Sequence, residues 1–135
     1  MVTVVTGNGP LEVVAYEPGV CNIGPAEIAR RRRAGHLGLA ATAVTLAVLL
    51  VIGAPAWTRL VLALPAGATA VGYLQAALHF CVGFGSQGVF NFGSLGTVQN
   101  VVDPKARASD RRRSMEIAFV SLIVGLAVGL AAALL

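Results

Sequence analysis

Charge is what this chain has least of. Only 12% of its 135 residues are Asp, Glu, Lys or Arg, about half the share in soluble domains. A water-soluble domain is thereby excluded. The six carboxylates, Glu12, Glu17, Glu27, Asp103, Asp110 and Glu116, all lie outside the apolar runs, which argues against proton-coupled transport through intramembrane acids. Aromatics are scarce at 6%. Cysteine occurs twice, at Cys21 and Cys81, without a CxxC spacing, so a disulfide framework has no support. No phosphate-cradling GxxxxGK[ST] is present, nor a serine or cysteine beside a base and an orienting group. No catalytic role is evident, and the expectation is a non-enzyme.

What is there is Ala, Val, Leu and Gly. Mean hydropathy is +0.79, and 56% of residues are hydrophobic. The charge that remains is positive and clustered. Arg30, Arg31, Arg32 and Arg33 form one block; Lys105, Arg107, Arg111, Arg112 and Arg113 form another; Arg59 stands alone. Both blocks adjoin apolar runs, which marks membrane topology and anionic headgroups, not nucleic-acid binding.

Three runs are long enough to cross a hydrocarbon core of about 30 Å. Residues 25–54 read as a first transmembrane helix with a basic foot. Pro25 suits the first helical turn, and the Glu27 carboxylate suits the positive end of the helix dipole. The run closes on Ala54-Pro55-Ala56, which resembles a signal-peptidase site, but it is longer than a signal core of about 7–15 residues; an anchor is expected. Residues 56–83 form a second helix after a very short connection, with Trp57 at the interface and Pro65 near the helix start. Residues 84–113 are a Gly/Phe-rich and basic loop, and residues 114–135 a third helix. Residues 1–24 alternate weakly around Gly-Asn-Gly-Pro, which predicts a short extended or hairpin segment.

Basic residues belong on the cytoplasmic side. A cytoplasmic N-terminus and an outside C-terminus place both blocks there. The expected fold is an all-α integral membrane protein of three transmembrane helices, in the cytoplasmic (inner) membrane if the source is prokaryotic.

Candidate positions follow from this layout. Ser121, Gly125, Gly129 and Ala133 recur every four residues, a small-xxx-small stripe that allows close helix packing in lipid. Gln75 and His79 are polar groups within the second helix, and with Asn91 they form a possible polar path or ligand site. Cys21, His36, His79 and Cys81 fall at the cytoplasmic face, where thiol and imidazole could hold a metal or support thiol redox chemistry. The spacing is not that of a compact metal motif, and no cofactor is predicted. The two arginine blocks are candidates for lipid headgroups. Residues 81–85, CVGFG, resemble the T-V-G-[YF]-G filter of potassium channels at four of five positions. The preceding run is a full span, however, and a channel layout would put the second basic block outside, so that family is not assigned. Phe84, Phe90 and Phe92 lie among five glycines between residues 83 and 96, unlike a flexible linker. They predict a segment pressed against the interface or re-entering between helices.

The expectation is a small helical membrane protein that self-assembles or serves as an accessory subunit of a larger membrane complex, with lipids and other membrane subunits as partners. Two alternatives remain open: a small channel or transporter past Gln75 and His79 towards the Gly/Phe loop, and a metal or thiol site at the cytoplasmic face.

Overall fold

The computed structural model describes residues 2–5 and 13–135, with side chains from Tyr16 onward. Strand β1 (Val2–Val5) pairs antiparallel with β2 (Val13–Tyr16), Val2 opposite Tyr16. The expected turn at residues 7–10 lies outside the described residues. Helix α1 covers Pro25–Val51. A 3-10 helix, Ala56–Leu62, leads into α2, Ala63–Leu78. A short helix α3, Val82–Gln87, precedes the two-residue strands β3 (Val89–Phe90) and β4 (Gln99–Asn100), which pair antiparallel. Helix α4 runs from Pro104 to Ala133.

Three helical stretches are long and apolar enough to cross a membrane: Pro25–Val51, Ala56–Leu78 and Pro104–Ala133. α1 and α4 both pack on α2 and have little contact with each other. The arrangement is a row with α2 in the middle.

Both seams depend on missing side chains. Where α1 crosses α2, a Cβ on Gly72 would stand 2.5 Å from the Gly35 nitrogen. Where α4 crosses the start of α2, a Cβ on Gly125 would stand 2.5 Å from the Ala63 carbonyl oxygen and 3.0 Å from Gly67. Close backbone approach over small residues is the packing mode of apolar helices in lipid.

Two boundaries differ from the sequence expectation. The second long helix ends at Leu78, not at residue 83, because His79 adopts the left-handed conformation (φ 54°). The last helix begins at Pro104, ten residues before 114. Asp103 caps it by accepting the Lys105 amide at 3.1 Å, and Pro104 occupies the first turn, where its missing N–H costs nothing. At about 1.5 Å per residue its 30 residues reach about 45 Å, so the basic first turns project beyond a 30 Å hydrocarbon core.

Candidate functional site

The N-terminal ends of α1 and α4 converge with residues 16–24 and 79–103 in a hydrogen-bonded cap. Asn22 is its hub and is fully buried. Its side-chain amide donates to the Cys81 carbonyl (3.2 Å), and its side-chain oxygen accepts the Cys81 N–H (2.6 Å). Its backbone N–H donates to the His79 carbonyl, and its carbonyl accepts the Asn91 N–H. The break after α2 is satisfied in this way: Asn22 serves residues 79 and 81, while Gln75 Oε1 accepts the Val82 N–H at 2.9 Å. Buried backbone groups left unpaired cost about 1–3 kcal/mol each.

The foot of α1 supplies a buried ion pair. Glu27, 1% exposed, accepts Arg31 Nη1 at 2.5 Å and the Asn91 side-chain amide at 3.1 Å. Arg31 Nη2 donates to Cys81 Sγ at 2.8 Å, and the guanidinium lies 5.4 Å from the Phe84 ring centroid. Arg31 therefore turns inward, while Arg30, Arg32 and Arg33 stay exposed. A cleft of about 370 Å³ is lined in part by Arg30, Arg31, Cys81, Phe84 and Gln87.

A second clasp ties the N-terminal segment to α4. The Tyr16 hydroxyl donates to Asp110, whose other oxygen accepts the Gly19 N–H at 2.8 Å. Burial, then the Asp110 hydrogen bond and charge, push the Tyr16 hydroxyl well above the ordinary tyrosine range. Tyr16 also stacks on Phe90 at 4.8 Å between centroids, in a cluster with Phe92, Val101 and Ala106. Ser114 on α4 donates to the Val82 carbonyl at 3.0 Å and locks α3 in place.

No family model matches this chain, and no curated protein or solved structure proves similar to it. The chemistry of the cap follows from its own atoms.

The residues singled out in the sequence are divided by the fold. Cys81 is buried against Arg31, whereas Cys21 is half-buried with its thiol directed at the Ile23 carbonyl (3.8 Å); both are free thiols. Burial, foremost, raises the Cys21 thiol above its usual range. His36 Nδ1 lies 2.7 Å from the Tyr73 hydroxyl, and His79 is exposed at the α2 terminus. The four potential ligands thus occupy separate environments, and among the described residues no three His, Cys, Asp or Glu side chains are grouped as a metal site. Gln75, nearly buried, spends its oxygen on Val82. Asn91 is buried and organises its own loop: its side-chain oxygen accepts from Gly93 N–H and Thr97, and its amide reaches Ser94 as well as Glu27.

Ser121, Gly125 and Gly129 are buried, but Ala133 is only half-buried and Ala132 takes the inner position. At about 100° per residue, twelve residues turn a helix about 120° past its starting face, and eleven only about 20°. A strict spacing of four therefore leaves the seam by its fourth member. Residues 82–85 of the filter-like CVGFG are helical, with the Cys81 carbonyl accepting the Gly85 N–H at 2.9 Å. Those carbonyls are spent on the helix and on Ser114, not exposed to an ion path. Phe90 and Phe92 lie in the cap core, not on a lipid face.

Tyr16, Asn22, Glu27, Asp110 and Ser114 join the site without a sequence motif that marks them as ligands or catalytic groups. Asn22 and Ser114 carry no periodic or motif signal. The one available cue was the carboxylates: Glu27 and Asp110 adjoin arginine blocks, and each has an environment that a solvated charge does not need.

Proposed function

We propose that this is a small three-span membrane protein that assembles with itself or with other membrane subunits, N-terminus and cap on the cytoplasmic side. The observation that carries the reading is α1. Its most apolar 18-residue window has a mean hydropathy of 2.0 and is 6% buried within the chain, against 28% for α4. Apart from its seam with α2, a helix so apolar and so little buried has most of its surface available to lipid or to a neighbouring helix. The orientation rests on the cap, which brings the arginines at the foot of α1 and those at the start of α4 to one end; basic blocks at one end favour the cytoplasm. Blue-native electrophoresis in mild detergent tests the assembly: discrete oligomers or a copurifying complex are expected, and a lone monomer of 13.8 kDa plus detergent would overturn it.

A second reading is favoured by one contact. The guanidinium on Cys81 Sγ and the cleft that Cys81 lines support a thiol site at the cap. Thiol labelling in sealed vesicles checks it: modification of Cys81 from the cytoplasmic side, slowed by Arg31→Met, is expected, and an inert Cys81 in the native fold removes the reading.

A further inference from the structure

We infer that the groove between α2 and α4 binds one anionic phospholipid, with an acyl chain along the groove and the phosphate at Arg113. The inference rests on the reading that α4 crosses the bilayer. The groove has a volume of about 320 Å³, within the range of about 300–1,000 Å³ typical of ligand sites. Its walls are Leu74 and Leu78 of α2 and Ile117 and Val120 of α4; Arg113 and Glu116 stand at its mouth.

The charge at the mouth is unbalanced. Glu116 is shared by two guanidinium groups, Arg113 Nη1 at 3.3 Å and Arg112 Nε at 3.5 Å. Asp110, the next carboxylate along the helix, is turned away into the clasp with Tyr16 and Gly19. Two guanidinium groups thus share one carboxylate at the mouth. Arg113 Nε is moreover buried and has no acceptor among the described residues. A buried N–H without a partner is unfavourable, and an oxygen held at the groove mouth beside Arg113 would supply one. A phosphate diester supplies that oxygen, and its acyl chain fills the apolar walls below. Residue 113 immediately precedes the apolar run 114–135, so phosphate and chain meet the depths that a bilayer gives them.

The test is native mass spectrometry of the full chain in mild detergent, titrated with phosphatidylglycerol or phosphatidylcholine. One phosphatidylglycerol is expected to be retained in preference to phosphatidylcholine. Arg113→Gln should weaken that retention about fivefold, the contribution of one arginine near an anionic surface, and Arg113→Lys should keep most of it. Arg59→Gln, the same charge change at the opposite end, should leave it unaltered, and Val120→Trp should block the groove. Equal retention of both lipids, undiminished retention by Arg113→Gln, or displacement by inorganic phosphate alone would overturn the site. Extraction of the chain without detergent would instead remove the membrane reading beneath it.

Discussion

The two ends of this molecule are built by different means. At the cap, Asn22, Glu27, Asn91, Asp110 and Ser114 are buried and bonded to partners far along the chain. At the other end the described contacts are sparse: Arg59 donates to the carbonyls of Ala132 (3.2 Å) and Leu135 (2.9 Å), while Ile52 and Trp57 are exposed. Between them the shafts touch through glycine. The cap is held by directional bonds that need particular side chains, and the shafts by proximity that needs their absence. Polar specificity is concentrated at the cap, and the apolar shafts are left with packing alone.

The largest effect expected from breaking that contrast is at Glu27. Glu27→Leu strands the Arg31 guanidinium, whose side chain is 13% exposed, and should cost about 3–5 kcal/mol, as loss of one member of a buried pair does; reversible unfolding in mixed micelles measures it. Asn22→Ala should follow at about 2–3 kcal/mol, since it orphans the Cys81 amide and carbonyl, and it should also speed labelling of Cys81. In the shaft, Gly125→Leu forces α4 off Ala63 and Gly67 and should cost about 1–3 kcal/mol. If the shaft substitution proves costlier than both cap substitutions, the contrast is reversed.

A pH titration sharpens it. Tyr16 holds its proton in the folded chain above the pH near 10 at which an unfolded tyrosine ionises. The folded state then binds more protons than the unfolded one, so stability must fall as pH rises beyond about 10. Tyr16→Phe should flatten that decline and remove the late part of the tyrosinate absorbance. The smallest effect belongs to Arg59→Gln, below about 1 kcal/mol, because it loosens only a helix terminus.

The spans were legible because apolar length is a local property: the arginine foot, Pro25 and the apolar runs state themselves residue by residue. Of the small residues spaced by four, Ser121, Gly125 and Gly129 are buried and Ala133 is not, because a spacing of four outruns a helix of 3.6 residues per turn. The start of α4 was written in Asp103-Pro104 but obscured by the charges that follow, which read as loop although arginine is a good helix former. The break at His79 could not be read locally. Neither glycine nor proline marks it, and the turn stands because Asn22 and Gln75 supply partners to the backbone it frees. Likewise Phe90 and Phe92 look lipid-facing until Tyr16 is brought against them.

The cap also has a consequence for biogenesis. Asn22 lies 59 residues before its partner Cys81, Glu27 64 before Asn91, and Tyr16 94 before Asp110. A chain synthesised from its N-terminus emerges with these bonds unmade, and each forms only after the second apolar run has been completed. Closure of the cap therefore waits on the later elements of the chain. Glu27 meets Arg31 at once, four residues on, whereas Asn22 and Tyr16 wait for residues 81 and 110.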